Sequence, residues 1–270
     1  MVMLMKRIAE YKSDQLIFNH LIYDKETERH FAKHSHSMFE LIYVAKGEVS
    51  YVVEDSKFTA NQGELIIINP YSYHYFTIRN RQDYEKIGIL FSPALFDLGN
   101  TAQESFSVLD CSYGRIHDTF QKLDFYYHNC QTEVFAELLT ALTKELTINI
   151  KHFGNQYKIT SEKESVHPLV KRAIDYINDN LFSLNTVKEL AERLSVSESH
   201  LKVLFRNQLK VTPKNYITEK KMLLARSMLY GGTSPTQVAI SLGYQNYVTF
   251  YRVYLKHFET RPTDDYKNTK

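Results

Sequence analysis

Histidine and glutamate residues in the first third of the chain have the spacing of a ligand set. His34, His36 and Glu40 are separated by even numbers of residues, so on a β-strand their side chains project from one face. His74 would join them from a neighbouring strand. Imidazoles and a carboxylate together suit iron, manganese or zinc. The same groups could instead line a pocket for a polar small molecule or make structural hydrogen bonds, and the sequence leaves these interpretations open.

Short β-strands are predicted to hold these residues. Runs rich in Ile, Val, Tyr and Phe are separated by Gly, Asn, Asp and Pro, which is typical of a β-sandwich or barrel. The predicted strands are 16–23, 39–44, 49–54, 65–68, 74–78 and 84–91. Nearby tyrosines, Tyr43 and Tyr51 among them, could stack on a sugar or simply fill the barrel.

Two amphipathic helices are predicted after the strands. Apolar residues recur with a helical period over 116–127 and again over 135–150. The two helices could pack on the barrel or pair with the same helices of a second chain. The polar segment 152–166, which has no apolar periodicity, is predicted to be a linker.

The C-terminal part of the chain reads as helices only, and a two-helix pattern occurs twice in it. Thr186 and Glu189 have capping-box spacing before a short helix, and Ser197 can cap the helix that follows. Ser234 opens another short helix, and Asn246 can cap the next one. A short helix, a tight turn and a capped helix make a helix-turn-helix unit.

The two units repeat in register. Core positions of the first unit recur in the second at offsets of 48 and then 49, namely Leu190, Ala191 and Leu194 as Val238, Ala239 and Leu242, and Leu201, Phe205 and Pro213 as Phe250, Tyr254 and Pro262. Such agreement indicates a duplicated unit. A helix of about 17 residues, ~26 Å long, is predicted between the units. It would hold the two capped helices about one DNA turn apart, ~34 Å.

Charge and composition restrict the class of protein. Residues 168–270 contain 16 Lys and Arg against 9 Asp and Glu, whereas residues 1–167 contain 17 against 22, so only the C-terminal part is expected to meet a polyanion. The sequence has no nucleophile–base constellation, phosphate-cradling glycine loop or zinc-finger spacing. No apolar run approaches the ~20 residues that span a bilayer. We expect a cytoplasmic protein that is not an enzyme, carries no cofactor and keeps both cysteines reduced.

The first part of the chain resembles the cupin barrel in two short motifs. The matching residues are His34, His36, Glu40 and Gly47 in the first motif and Gly63, Pro70 and His74 in the second. In metal-binding cupins the three histidines and the glutamate hold a divalent ion, so the resemblance implies a metal site as one alternative. In sensor barrels, similar residues line or brace an effector pocket without a metal.

The C-terminal part resembles the DNA-binding domain of the AraC/XylS family. The resemblance rests on Leu190, Ala191, Ser197, Leu201, Phe205, Pro213, Ala225, Leu229, Ala239, Gly243, Tyr244, Phe250, Arg252, Pro262 and Tyr266. The chain departs from the family at Lys210 and Glu259, where glycine is usual. It also departs at Lys221, where arginine is usual, and at Leu255, where lysine is usual.

This resemblance implies that the two capped helices contact DNA. The implied contacts are Ser197, Ser199, His200, Lys202, Val203 and Arg206 on the first helix, and Asn246, Tyr247, Val248, Tyr251, Arg252 and Lys256 on the second. Arg252 is the best candidate for reading a base, because a guanidinium can bond a guanine edge twice. Arg206 and Lys256 are expected to hold phosphates. Tyr247 and Tyr251 could equally be packing residues.

Together these features predict an α+β transcription regulator. It would comprise a cupin-like β-barrel with dimerisation helices (1–151), a linker (152–166) and an all-α domain with two helix-turn-helix units (167–270). The candidate effector-binding residues are His34, His36, Glu40, His74, Tyr43 and Tyr51. By family analogy, the expected partners are promoter DNA, a sugar or other carbon source, a second copy of the chain and RNA polymerase, with activation as the outcome. The alternative is a metal-binding cupin, either an enzyme or a metal sensor, fused to a DNA-binding domain.

Overall fold

The computed structural model describes residues 5–23, 35–78, 83–98, 105–112, 114–159 and 164–267. The chain divides into two compact units, Met1–Glu164 and Ser165–Lys270. The first combines β-sheets with two helices and the second is helical, as the predicted α+β class requires. Within the described ranges, no helix is both long enough and apolar enough to cross a membrane.

Antiparallel strands build the first unit. They are β1 (Met5–Lys12), β2 (Leu16–Tyr23), β3 (Phe39–Lys46), β4 (Glu48–Val53), β5 (Ser56–Asn61), β6 (Glu64–Ile68), β7 (His74–Thr77), β8 (Tyr84–Phe91), β9 (Phe106–Asp110) and the short β10 (Glu164–Ser165). A six-stranded sheet has the order β1-β2-β8-β3-β6-β9, and a four-stranded sheet has the order β10-β5-β4-β7. The predicted strands are therefore confirmed, whereas β1, β5, β9 and β10 were not predicted.

The alternation of side chains on the six-stranded sheet separates two cores. On β3, Ile42 and Val44 face the four-stranded sheet and pack with Tyr51 and other residues of that sheet. Leu41 and Tyr43 project from the opposite face and pack against the helices of this unit. This arrangement follows from the two-residue period of a strand. The six-stranded sheet is thus the middle layer, and it carries different residues on its two faces.

The helices α1 (Arg115–Asn129) and α2 (Thr132–Tyr157) cover the outer face of the six-stranded sheet. Their apolar stripes are buried in this core, with Phe120, Leu123 and Leu139 fully enclosed. The sequence left open whether these stripes would pack on the barrel or on a second chain. The structure shows that they pack on the sheet of their own chain, so the stripe that suggested dimerisation is already covered.

A buried histidine fastens α1 to the sheet. His20 on β2 is 6% exposed, and its Nδ1 lies 2.6 Å from a carboxylate oxygen of Asp124 on α1. Its Nε2 lies 2.7 Å from a carboxylate oxygen of Glu85 on β8. One side chain therefore links two strands and a helix. Sequence reasoning missed this contact, because its three residues are far apart along the chain.

The predicted linker begins too early, because α2 continues to Tyr157. Gly154 and the polar residues around it suggested an end at residue 151. Gly154 is instead buried, and a Cβ placed on it would lie 3.7 Å from both Leu109 and Ile150. The last turns of the helix therefore pack against β9, and this packing outweighs the local preference for a loop.

The helices of the second unit are α3 (Pro168–Asp179), α4 (Val187–Arg193), α5 (Glu198–Gln208), α6 (Pro213–Tyr230), α7 (Pro235–Ser241), α8 (Tyr247–Phe258) and α9 (Pro262–Lys267). The starts of α4, α5, α7 and α8 are fixed by polar caps that accept a backbone N–H in the first turn. These caps are Thr186, Ser197, Ser234 and Asn246. The two predicted helix-turn-helix units, α4–α5 and α7–α8, are therefore confirmed.

A buried aspartate holds the C-terminal end of this unit. Asp265 on α9 is 3% exposed and accepts a hydrogen bond of 2.5 Å from the Tyr254 hydroxyl of α8. Arg226 of α6 lies 3.1 Å from the same carboxylate oxygen. A buried carboxylate is tolerated when it is paired and hydrogen-bonded in this way. Through Asp265, α9 connects the second recognition helix to the long helix α6.

Candidate DNA interface and effector site

Helix α5 presents a mostly polar surface, on which Val203 is an exposed apolar residue. Leu201 and Phe205 are completely buried. The side chains that the family resemblance assigns to DNA lie on the other side, and all are exposed, namely Ser199, His200, Lys202, Val203 and Arg206. Ser197 is also exposed and accepts the His200 backbone N–H at 3.2 Å, so it serves as the N-cap.

One charge on α5 is partly neutralised within the helix. The Lys202 ammonium lies 2.8 Å from the Glu198 carboxylate one turn earlier. Both side chains are well exposed, so this pair adds little to stability. Its consequence is electrostatic, because Glu198 places a negative charge on a surface expected to meet phosphate.

Helix α8 presents a different set of side chains. Arg252 and Lys256 are exposed, and the described residues offer neither of them an ion-pair partner. Val248 is 56% exposed. Tyr247 is half-buried, with its ring 5.9 Å from Phe250, so it contributes to packing as well as to the surface. Arg252 is therefore available for a ligand.

The two recognition helices border one cleft. A cleft of about 760 Å³ is lined by Glu198 and Lys202 of α5 and by Asn246 and Thr249 of α8. Asn246 is also the N-cap, since its side-chain oxygen accepts the Thr249 backbone N–H at 2.8 Å. Further lysines, Lys188 and Lys214, contribute to the same cleft. The N-terminal halves of α5 and α8 thus open on a common, lysine-rich surface.

A buried lysine connects the two helix-turn-helix units. Lys221 on α6 is 5% exposed and donates to the Leu242 carbonyl oxygen at 2.7 Å and to Asn185 Oδ1 at 3.3 Å. Leu242 ends α7 in the second helix-turn-helix unit, and Asn185 precedes the cap of α4 in the first helix-turn-helix unit. Burial lowers the pKa of Lys221, while Glu189 opposes this effect. The residue noted as a departure from the family is therefore a structural link.

Two residues that stand where the family usually has glycine adopt the left-handed backbone conformation that favours glycine. Lys210 (φ 57°) and Glu259 (φ 58°) are left-handed, and both stand where the family usually has glycine. Ser195 (φ 58°) and Gly243 (φ 77°) form the turns of the two units. Left-handed conformations disfavour residues that have a Cβ. Three of these four positions are therefore strained.

In the N-terminal part of the chain, Met1–Glu164, three of the predicted polar residues lie close together. Ligand atoms of His36, Glu40 and His74 lie within 4.8 Å of one another. Nε2 of His36 is 3.2 Å and Nε2 of His74 is 3.1 Å from the same Glu40 oxygen, Oε2. His34 lies outside the described residues.

Lys86 completes this cluster, and sequence reasoning missed it. Its ammonium lies 3.7 Å from the other Glu40 oxygen, Oε1, and both side chains are almost fully buried. Burial alone would raise the pKa of Glu40, but Lys86 and the two histidines hold it well below its usual range. The only signal in the sequence was a lysine within the strand run 84–91, most of whose other residues are apolar or aromatic.

The orientation of the two imidazoles is fixed by backbone carbonyls. His36 Nδ1 lies 3.0 Å from the Met38 carbonyl oxygen, and His74 Nδ1 lies 2.9 Å from the Ser72 carbonyl oxygen. A carbonyl only accepts, so each Nδ1 donates. The Nε2 atoms then face Glu40 and can donate to it when protonated or ligate a cation when not.

Aromatic rings surround the cluster on the inner side of the sheet. Tyr51 is fully buried and stacks with Phe76 at 5.4 Å, and Tyr23 stacks with Tyr84 at 5.6 Å. Burial raises the pKa of Tyr51 well above its usual value, so its hydroxyl stays neutral. Tyr51 therefore lies in the same core as the predicted effector-binding group.

Tyr43 does not join this group, and its assignment was wrong in position. It lies on the opposite face of β3, where its ring stacks on Phe120 at 5.0 Å. Its hydroxyl lies 2.6 Å from Nδ1 of His117. Tyr43 is three residues from Glu40, and an odd separation on a strand reverses the face.

Two family descriptions match the chain. Residues 20–124 match the AraC-like ligand binding domain, and residues 190–268 match a helix-turn-helix domain. The first match contains Glu40, His74 and Lys86, and the second contains both recognition helices. Known members of these families are transcription regulators, and neither match indicates an enzyme.

Named relatives agree with these matches over most of the chain. An uncharacterised HTH-type transcriptional regulator of Escherichia coli strain K12 is 22% identical over 91% of this chain and 80% of its own length. The lactose operon transcription activator of Staphylococcus xylosus is 23% identical over 83% of this chain and 81% of its own length. The HTH-type transcriptional activator RhaS of Yersinia pestis is 21% identical over 87% and 88%, respectively.

A solved structure of an apo ToxT variant from Vibrio cholerae covers 97% of this chain and 100% of its own, at 11% identity and a TM-score of 0.43. The two family matches, the full-length relatives and the duplicated helix-turn-helix units together assign the function at the level of the family. The chain belongs to the AraC family of transcriptional regulators, with a ligand-binding unit followed by a DNA-binding unit.

Proposed function

We propose that this regulator activates transcription from a promoter with two unlike half-sites, in response to a small polar effector such as a sugar or another carbon source. The observation that carries the DNA part is the common cleft bordered by α5 and α8. Two helices that open on one lysine-rich surface can enter successive major-groove segments of one duplex. Activation is supported by two relatives that are named as activators.

The roles of the recognition residues follow from their exposure and chemistry. Arg252 is exposed, and among the described residues it has no competing ion pair, so we assign it to a guanine edge. Val203 and Val248, both more than half exposed, suit a thymine methyl group. Arg206 and Lys256 are assigned to phosphates, which set the register of the protein on DNA.

The effector would bind at the cluster of His36, Glu40, His74 and Lys86. Sugar hydroxyls need donors and acceptors at close quarters, and this cluster offers a carboxylate, an ammonium and two imidazoles next to aromatic rings. One relative is a lactose operon activator, which supports a carbohydrate. An effector that prefers one arrangement of the two units would change DNA affinity by its differential affinity for the two states.

A divalent metal is the second candidate for this cluster. The spacing of two Nε2 atoms and one carboxylate oxygen within 4.8 Å suits a metal ion, and each imidazole donates its Nδ1–H to a carbonyl, as metal-ligating histidines commonly do. Against this alternative, Lys86 already places a positive charge beside Glu40. A metal would therefore bind against local repulsion.

Dimerisation is proposed through the exposed side of α2. Val134 (46% exposed) and Ile148 (48% exposed) are fourteen residues apart, which places them on one side of the helix. Phe125 of α1 is 60% exposed. An Ile148→Ser variant is expected to weaken a dimer, measured by analytical ultracentrifugation, with the exposed polar change Asp175→Asn on α3 as control. A wild-type chain that sediments as a monomer at the concentration used for DNA binding would contradict this proposal.

Contact of the DNA-bound regulator with RNA polymerase at the nucleoid would be the activating step.

One experiment on the full chain separates the effector alternatives. Thermal unfolding would be measured with a panel of mono- and disaccharides, and separately with manganese, iron or zinc after treatment with a chelator. A saturating ligand at about a hundredfold excess over its Kd adds about 2.7 kcal/mol of stability. Stabilisation by one sugar that is lost in Glu40→Gln but kept in Glu137→Gln supports the effector site.

Stabilisation by metal alone, with the same loss in Glu40→Gln, would replace the sugar proposal by a metal sensor. Retention of sugar stabilisation in Glu40→Gln would place the effector elsewhere. Absence of DNA binding by the full chain under all these conditions, measured by fluorescence anisotropy against random-sequence duplexes, would contradict the DNA part independently.

A further inference from the structure

The first unit has a cleft that is separate from the Glu40 cluster. It has a volume of about 340 Å³ and lies among the end of β9, the first turn of α1 and the last turns of α2. This volume lies within the range of about 300–1,000 Å³ that is usual for small-molecule sites. The residues used below are Asp110, Arg115, Asn149, Phe153 and Tyr157, all of which line the cleft.

One end of the cleft is electropositive. Helix α1 has 15 residues, and its N-cap, Gly114, has no side chain with which to accept the first-turn N–H groups. A helix N-terminus carries a partial positive charge and free N–H donors. Arg115 adds a full charge in the same turn. It is exposed, and in the described part of the chain its guanidinium has no ion pair or hydrogen bond.

A buried amide provides independent evidence for a ligand. Asn149 on α2 lines the cleft and is 7% exposed. Its side-chain nitrogen has no hydrogen-bond partner among the described residues. A buried donor without an acceptor destabilises the folded chain. A ligand that supplies an acceptor atom would remove this cost after a small adjustment of the side chain.

Helix α2 contributes two aromatic rings to the lining of the cleft. Phe153 and Tyr157 stand one turn apart on α2, and each is 42% exposed. Rings that remain this exposed on a helix give a flat apolar surface. Asp110 lies at the rim, where the backbone N–H and hydroxyl of Ser112 donate to its carboxylate at 3.1 and 2.8 Å and lower its pKa. It remains anionic, so an anion is favoured only at the Arg115 end.

We propose that this cleft binds a small organic carboxylate with a flat apolar body. The carboxylate would lie against the N-terminus of α1, Arg115 and the Asn149 amide, and the ring would pack on Phe153 and Tyr157. The occupied cleft would join the start of α1 to the end of α2. Because α2 is the last helix before the segment that leads into the second unit, this site offers the regulator a second input, independent of the Glu40 cluster.

The test uses the full chain and two probes of nearly the same shape, para-fluorobenzoate and para-fluorobenzamide, with binding followed by fluorine NMR. The amide is neutral and has an NH2 donor in place of one carboxylate oxygen. We expect para-fluorobenzoate to bind about tenfold more tightly than the amide, because charge-assisted hydrogen bonds are about twice as strong as neutral ones. Arg115→Met should remove that difference. Lys122→Met, which deletes an exposed charge on the same helix outside the cleft, should leave it unchanged.

A second variant tests the buried amide. Asn149→Leu replaces the amide by an apolar group of the same branched shape. It should weaken para-fluorobenzoate binding while it preserves or raises the melting temperature, since it removes an unsatisfied donor. Equal affinity for the two probes, no detectable binding of either, or the same loss in Lys122→Met as in Arg115→Met would overturn the proposal. Loss of binding in Glu40→Gln with Arg115→Met unaffected would move the carboxylate to the other site, which also contradicts it.

Discussion

The two helix-turn-helix units share one backbone and differ in almost every side chain that can reach DNA. Ser197 and Asn246 cap their recognition helices in the same way, each by accepting the backbone N–H three residues on. Leu201 in the first unit and Phe250 in the second occupy the same buried position at an offset of 49. The frame is therefore duplicated down to its caps and core.

The exposed positions of the two helices do not follow this duplication. Val203 of α5 stands where α8 has Arg252, and Lys202, which is paired with Glu198, stands where α8 has Tyr251. Core positions are constrained by packing, whereas exposed positions are free to diversify. One scaffold therefore carries two different sets of exposed side chains, so the DNA site should consist of two unlike halves.

The link between the two units should show the largest effect. Lys221→Met removes the ammonium that donates to the Leu242 carbonyl and to Asn185, which leaves the buried Leu242 carbonyl without its donor. We expect a loss of about 2–3 kcal/mol in the free energy of unfolding, measured in urea. Lys214→Met, an exposed lysine of the same helix, is the control. If both variants lose the same small amount, Lys221 does not couple the units.

The two turns should respond in opposite directions to exchanged residues. A Cβ at Gly243 would lie 2.5 Å from Asn185 Oδ1, an atom that Lys221 already holds, so Gly243→Ser should cost about 1–3 kcal/mol. Ser195→Gly at the equivalent turn should gain about 0.5–1 kcal/mol by relieving a left-handed serine. Thermal unfolding of both variants measures this. Effects of the same sign would mean that the turns are not equivalent.

Specific DNA binding should depend more on the second helix-turn-helix unit than on the first. Arg252→Ala should cost about 1–3 kcal/mol at the preferred site and relax selectivity at one base pair. Val203→Ala, at the equivalent position of α5, should cost less than about 1 kcal/mol, because only an apolar contact is shortened. Affinities from anisotropy titrations decide between them. An equal loss for Arg252→Ala on unrelated DNA would identify a phosphate contact instead.

The Glu198–Lys202 pair should slightly weaken DNA binding by the first helix-turn-helix unit. Glu198→Gln removes a negative charge and releases Lys202, so DNA affinity should rise several-fold and the dependence on salt should become steeper. Asp175→Asn makes the same charge change on α3 and serves as the control. Unchanged affinity for Glu198→Gln, or an equal rise in Asp175→Asn, would show that the pair does not influence DNA binding.

The smallest effect is expected at the ends of the recognition helices. Lys210→Gly and Glu259→Gly should each stabilise the protein by about 0.5–1 kcal/mol, because both residues are left-handed. Differential scanning calorimetry can resolve such gains as shifts of melting temperature. A loss of stability in either variant would mean that its side chain makes a contact worth more than the strain.

The helical C-terminal part of the chain (165–270) could be predicted from signals between residues that are neighbours in sequence. The N-terminal part (1–164) was harder to predict, because its packing joins residues that are far apart in sequence. Ser197 and Asn246 could be identified as caps because a cap and its helix are neighbours in sequence. Lys86 and Lys221 were missed as site and link residues, because burial of a lysine depends on acceptors from distant segments. Tyr43 was wrongly grouped with Glu40, although their odd separation on the strand predicts that the two side chains lie on opposite faces.

Selection of binding sites from random duplexes by the full chain, repeated with Arg252→Ala, tests whether the two recognition helices read different base sequences. We expect a wild-type site with two unlike subsites about one helical turn apart, ~34 Å. In Arg252→Ala, one subsite should lose base preference while the other keeps it. Two identical half-sites, or an equal loss of preference in both halves, would contradict the claim that one duplicated scaffold carries two different readers.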